Sequence, residues 1–252
     1  MLEIERRFYS FKRKDIWFSE RPYDVDGYQG VVFYSCRDQV DVPGFTRRDF
    51  ITPVIDLTPG LEKVWKNIDR WSCRKKINKA YNYGIEVKFN ENYEEFHRID
   101  VEFRKSKGLQ DSRMDVEFMK KYGTLLTAEL GGRVISGQLF LEDKDHIRGL
   151  IAGSMRFGPD AHENNLVGYG NRLIVWEAIK YAVAKGIKEY DMGGFYTGTE
   201  KIDELKGVNV YKMSFGPSLV TKYNYVKEYS PIFGIAKRIY DYSAALLYTR
   251  SC

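Results

Sequence analysis

The sequence predicts an α+β fold, and three observations carry that expectation. Thr124 to Gly153 reads as three short strands joined by the turn signals Gly131-Gly132 and Asp143-Lys144-Asp145, the pattern of an antiparallel meander. Gly168 to Lys185 offers Leu173, Trp176, Ile179, Tyr181 and Val183 as packing residues of one helix, which Gly186 closes. Ile187 to Met192 then returns as a strand. A meander joined through a helix to a further strand describes an α+β sheet rather than a doubly wound one.

In chain order, residues 1–58 mix short β-rich runs such as Gly30-Val31-Val32-Phe33-Tyr34 with Pro and Gly punctuation, a small strand-bearing lobe. Thr58-Pro59 is a helix-start signal, and Leu61, Val64, Trp65 and Ile68 continue at helical spacing through the basic run Arg70 to Ala80 until Gly84 stops it. A strand over Ile85–Phe89 and helices over Tyr93–Lys105 and Asp115–Tyr122 lead into the meander. Ser230-Pro231 opens a last helix with Ile232, Phe233, Ile235, Ile239, Leu246 and Leu247 apolar and Lys237 and Arg238 basic. We divide the chain into an N-terminal lobe (1–84), a core (85–228) and a C-terminal helix (229–252).

Of 252 residues, 43% are hydrophobic and 30% charged, which supports a folded core. Forty Lys and Arg against 35 Asp and Glu give a formal charge of +5, mild for a dedicated nucleic-acid binder but compatible with one basic face. Cys36, Cys73 and Cys252 are isolated and the histidines number three, so neither a disulfide framework nor a metal site is expected. His97, His146 and His162 have no partners in sequence that would make them bases, and Cys73 none that would make it a nucleophile. The N-terminus lacks an apolar signal core and no run is long enough to span a membrane, which leads to a cytoplasmic expectation.

Four stretches have the make-up of a site. The strand ending Tyr190-Asp191-Met192-Gly193-Gly194 would let backbone approach a ligand at its glycines. Farther on, Gly207 to Gly216 holds Lys212 between Tyr211 and Phe215, a fixed positive charge in a partly dry place. The plain alternative is a strand, a turn and a second strand whose lysine reaches out to water. A third stretch, Asn165 to Leu173, places Gly168 and Gly170 where a helix would open after a strand. A fourth, Arg70, Arg74, Lys75, Lys76 and Lys79 with Trp71, Tyr81 and Tyr83, is either a phosphate-contacting face or a solvated helix surface.

The order of these parts resembles the GNAT superfamily of N-acyltransferases, and within it the FemAB-like branch: a basic helix, a hairpin, a third strand, a glycine-opened helix and a strand ending in Asp-x-Gly-Gly. The later Gly-x-x-x-aromatic-Lys-x-x-Phe-Gly run resembles that branch as well, and the likeness covers roughly residues 50–225. It implies a bent mixed sheet that opens between two central strands, where an acyl donor meets an acceptor amine. FemAB-like members move an amino acid from aminoacyl-tRNA to an amine of a peptidoglycan precursor; other relatives use acyl-CoA. The N-terminal lobe is too short for the complete first unit of the FemAB enzymes, and their coiled-coil insertion is not visible.

The resemblance implies that Lys212 serves the reaction centre or the substrate phosphates, with Tyr211 and Phe215 walling the site and Gly193 and Gly194 facing substrate. Asp191 either orients the incoming ammonium and takes its proton or caps the next turn. Asn165, Gly168 and Gly170 stand where GNAT enzymes hold the CoA pyrophosphate on backbone N–H groups. Arg104 and Arg74 are the candidate contacts to a diphosphate or carboxylate of the acceptor or donor. The expectation is an acyltransferase without a tightly bound cofactor or metal. It takes an aminoacyl group, from aminoacyl-tRNA, to an amine of a cell-envelope or nucleotide-sugar precursor, with weak peripheral membrane contact through the last helix. An acyl-CoA-dependent N-acetyltransferase and a non-catalytic binder of envelope precursor or RNA are the alternatives.

Overall fold

In a computed structural model, residues 1–8, 10–110, 112, 114–155, 161–198 and 202–236 are described. The chain divides into two compact units, Met1–Thr52 with Val220–Cys252, and Pro53–Leu219.

In the first unit, β1 (Leu2–Phe8) and β2 (Phe11–Trp17) form an antiparallel hairpin, β2 runs parallel to β3 (Gly30–Cys36), and β10 (Ser218–Glu228) lies antiparallel to β3. Ile16, Val31, Phe33, Cys36 and Tyr225 form its buried core. Residues 231–236 are helical, with Phe233 buried against Phe11 at 5.7 Å between ring centroids. The remainder of the expected last helix, Lys237 onward, lies outside the described residues.

Strand β4 (Thr46–Asp56) carries the chain into the second unit, where the strand order is β4, β9, β8, β7, β6, β5. The expected meander forms as β6 (Thr124–Leu130), β7 (Arg133–Glu142) and β8 (His146–Ser154), antiparallel throughout. Gly131 and Gly132 both have positive φ, 58° and 78°, the requirement of a two-residue hairpin turn. Strand β5 (Glu86–Phe89) adds antiparallel to β6, while β9 (Glu189–Asp191) is parallel to β8 and antiparallel to β4. This is the expected α+β mixed sheet.

Helices cover it. Helix α3 (Tyr93–Ser106) packs on β7 and β8, α4 (Val116–Tyr122) on α3 and β6, and α5 (Ala161–Ala184) on β6 and β7. The Asp115 side chain caps α4 by accepting from the Phe118 N–H at 2.8 Å. Gly170 of α5 lies so close to the sheet that a Cβ there would stand 3.2 Å from Ala128 and from Ile135. That explains a glycine inside a helix, where it otherwise disfavours helix by about 1 kcal/mol.

The single helix expected from Thr58 to Gly84 is broken in two. Helix α1 (Leu61–Asn67) starts after Gly60, and Ile68 then turns extended, with ψ 132°, as its side chain goes into the core. Asp69 restarts the helix: its carboxylate accepts from the N–H groups of Trp71 (3.0 Å) and Ser72 (2.6 Å). A π-type turn, Arg70–Arg74, leads into α2 (Lys75–Asn82), which packs on α5. The segment 207–213, for which a strand was the plain alternative, is instead the end of helix α6 (Asp203–Met213).

Gly216, with φ 72°, closes α6 beside α1. A Cβ there would come within 2.5 Å of the Asn67 carbonyl oxygen, which is backbone and has little room to give. Gly216→Ala is therefore expected to destabilise the protein by about 3 kcal/mol, from left-handed strain plus overpacking. Urea unfolding checks this; a loss under about 1 kcal/mol would mean that the α1–α6 approach is looser than described.

Candidate active site

The site is built where β9 ends. Asp191 is the last residue of β9, in register with Arg148 of parallel β8 on one side and Val54 of antiparallel β4 on the other. Its carboxylate is buried and carries two loads. One oxygen pairs with the Arg148 guanidinium; the other accepts the Gly193 N–H at 2.8 Å. The second bond folds the chain back at once, and Gly193 takes φ 78°, which a glycine adopts without strain. The turn exposes the carbonyls of Gly193 and Gly194 on one side, where the Lys212 ammonium donates to them at 3.1 and 2.6 Å.

Helix α6 delivers Lys212. Asn209, one helical turn earlier, clamps the loop that follows the glycines: its Oδ1 accepts from the Tyr196 N–H at 3.1 Å and its Nδ2 donates to the Tyr196 carbonyl at 2.7 Å. Tyr211 donates to the Asn171 carbonyl of α5 at 3.1 Å and meets Phe215 edge-on at 5.5 Å. The Arg172 guanidinium lies 5.0 Å from the centre of the Tyr211 ring.

Burial pushes the Lys212 amine down to about 8 from an ordinary 10.5, and the Arg148 charge adds to the fall while Asp191 opposes it. An ammonium has three protons to donate. Among the described residues two of Lys212's go to the glycine carbonyls, which leaves one for a ligand.

The structure sorts the residues the sequence singled out. Lys212, Asp191, Gly193 and Gly194 come together as expected, but the glycines serve as carbonyl acceptors that aim the lysine. Asp191 is engaged by Arg148 and Gly193, which is the turn-capping alternative. Phe215 is fully buried in the core and Tyr211 is half-buried against α5, so they fix α6 rather than wall a cavity. Arg104 is held by Asp100, its Nε 2.9 and 3.0 Å from the two carboxylate oxygens, and by the Gln110 carbonyl at 3.0 Å.

Asn165, Gly168 and Gly170 do not open a helix. Helix α5 already runs from Ala161, so their N–H groups sit within it, where each donates to the carbonyl four residues back. Arg74 lines a cleft of about 530 Å³ with Trp65, Arg70, Trp71, Lys75 and Asn78. Cys73 is buried and its thiol is pushed up to about 11 by burial, which keeps it from being a thiolate nucleophile at neutral pH. His146 is tied to Asp143, Nδ1 to Oδ1 at 2.9 Å, in the turn before β8. Among the described residues no group of His, Cys, Asp or Glu could hold a metal ion, and no helix is long and apolar enough to cross a membrane.

Sequence reasoning missed Arg148 and Asn209. Arg148 becomes visible only through the parallel register of β8 and β9, two strands separated by the whole of α5. Asn209 lies three residues before Lys212, on the same helical face, which is the signal that could have found it.

In this mixed sheet β8 and β9 are parallel and joined through α5, and the Lys212 ammonium, carried by α6, stands just past the end of β9. Residues 70–213, more than half of the chain, match the family model of the acetyltransferase (GNAT) domain. The chain belongs to that family and is an acyl-transfer enzyme of it. Among solved structures it is similar to FemX, with a TM-score of 0.65 at 12% identity over 92% of this chain and 85% of that one. The C-terminal domain of a putative lysylphosphatidylglycerol synthetase from Agrobacterium fabrum matches with a TM-score of 0.55 at 10% identity, over 85% of this chain and 72% of that one. L-PGS from Bacillus licheniformis gives 0.53 at 12% identity, over 83% and 72%. At 10–12% identity, these likenesses show a shared fold. No curated protein matches the sequence.

Since Asp191 holds the Lys212 amine up and Arg148 pushes it down, the Asp191→Asn variant is expected to titrate Lys212 below 8, and the wild type near 8. NMR of the labelled lysine side chain reads this directly. A Lys212 titration near 10.5 in both proteins would mean a solvated amine outside the influence of this cluster.

Proposed function

We propose that the enzyme transfers an aminoacyl group from aminoacyl-tRNA to an amine of a cell-envelope or nucleotide-sugar precursor, with Lys212 stabilising the oxyanion. The observation that carries the reading is the Lys212 ammonium, held by the Gly193 and Gly194 carbonyls with one proton left over, just past the end of β9 in a chain of the acetyltransferase (GNAT) family.

Attack of a neutral amine on an ester carbonyl forms the C–N bond and moves charge onto the carbonyl oxygen. Lys212 donates to that oxygen from a fixed position, at low cost in reorganisation. Collapse breaks the C–O bond to the ribose; the amine loses one proton and the departing ribose oxygen gains one. Asp191 and Arg148 position the turn and set the lysine's charge, and Asn209 holds the loop against α6.

Two observations support an aminoacyl ester over a thioester of CoA. The fold is shared with FemX and with structures named for lysylphosphatidylglycerol synthesis, and the glycines expected to cradle the CoA pyrophosphate lie inside α5. The acyl-CoA reading keeps the support of the family model, whose description is acetyltransferase.

The test is transfer from aminoacyl-tRNA, with acetyl-CoA in parallel, to amine acceptors of the two classes. Lys212→Ala is expected to lower kcat by about 10²-fold or more with little change in KM, since the interaction forms in the transition state. Equal kcat in mutant and wild type would remove Lys212 from the mechanism. Transfer from acetyl-CoA alone would replace the donor.

A further inference from the structure

The cleft of about 530 Å³ on the α1 to α2 segment is not used by the chemistry at Lys212, yet it has the make-up of a ligand site. Its lining is three cations, two tryptophans and one asparagine: Arg70, Arg74, Lys75, Trp65, Trp71 and Asn78. Among the described residues none of the three cations forms an ion pair, and the Arg74 Nε is buried without a hydrogen-bond partner. Asp69, the carboxylate nearest in sequence, is spent on the Trp71 and Ser72 N–H groups and the Ser72 hydroxyl, the last at 2.6 Å.

Trp71 is 65% exposed, an unusual position for so large an apolar ring. Arg70 and Lys75 stand 5.1 and 5.2 Å from its centre. Trp65, by contrast, is anchored on Trp176 of α5 at 4.6 Å, which gives the cleft a fixed wall. An exposed aromatic ring flanked by cations that form no ion pair among the described residues matches a ligand with a flat base and a phosphate, and the volume suits one such unit.

The cleft is also tied to the catalytic helix. The Asp69 N–H donates to the carbonyl of Ser214, two residues after Lys212, at 2.9 Å, and Arg172 of α5 donates to the Ser72 carbonyl at 3.0 Å. We propose that this cleft binds a nucleotide unit of the acyl donor, with its base stacked on Trp71 and its phosphate held by Arg70, Arg74 and Lys75. The assignment of that nucleotide to the donor rests on the proposed function; the cleft's chemistry does not. The same unit occurs at the end of a single-stranded RNA and in CoA.

Anisotropy of a fluorescein-labelled single-stranded RNA ending in CCA, competed with CoA, reads the binding at several salt concentrations. Trp71→Leu is expected to weaken RNA binding about ten-fold or more. The double variant Arg70→Ala/Lys75→Ala is expected to weaken it too, and to flatten the log–log salt slope by about 1.4, for two phosphate contacts. All three residues are exposed, so the fold should survive, and circular dichroism checks that. Lys63→Ala, on the exposed side of α1 and outside the cleft, should bind as wild type.

RNA binding that CoA does not displace assigns the unit to RNA; displacement by CoA with the same dependence on Trp71 assigns it to CoA; both uphold the site. Absence of binding by either probe, or binding unchanged in Trp71→Leu and in the double variant, overturns it. Lys212→Ala protein should bind the RNA as wild type does. Lys212-dependent transfer with unaffected cleft variants would therefore sink the cleft alone, and Trp71-dependent binding with Lys212-independent transfer would sink the proposed function alone.

Discussion

The ion pair of Arg148 with the buried Asp191 is the constraint on which the site depends. It joins β8 to β9 at the one register where β9 ends, and the same carboxylate then folds the chain at Gly193. Without that turn the Gly193 and Gly194 carbonyls would not converge, and the Lys212 ammonium would lose both of its acceptors. A paired buried carboxylate is costly to desolvate, and its partner could not be removed without leaving an uncompensated charge. Its retention here is explained by what it positions.

The electrostatics follow from the same cluster. Arg148, Lys212 and Asp191 carry two positive charges and one negative, so the lysine is poised rather than locked in its charged form. A lysine near 8 still carries most of its proton at neutral pH, which an oxyanion donor requires. It also approaches the range where loss of the proton switches it off. The acceptor amine needs the opposite, since only its neutral form attacks.

Much of this was legible in the sequence because the signals were local. Gly131-Gly132 announced a hairpin, and Asp191 to Gly194 with Lys212 marked residues that the fold brings together at a strand end. The misreadings came from residues whose meaning is tertiary. Gly168 and Gly170 read as a helix-opening loop, whereas Gly170 is what lets α5 approach Ala128 and Ile135. For Gly207 to Gly216 a strand was the plain alternative, but Asn209 on Tyr196, Tyr211 on Asn171 and the burial of Phe215 hold that segment at the end of helix α6. Arg148 could not be found at all, because strand neighbours across α5 are invisible to spacing. The break at Ile68 had the same origin: its spacing was helical, but the core took its side chain and Asp69 restarted the chain.

Lys212, with its charge set by Asp191 and Arg148, is the proposed donor to the reaction's oxyanion. The most direct test is the pH dependence of single-turnover transfer in the wild type and in Asp191→Asn. The expected rate falls as pH rises through about 8 in the wild type, where Lys212 loses its proton, and falls at lower pH in the variant. A rate that keeps rising with acceptor deprotonation to pH 10 in both proteins would contradict it.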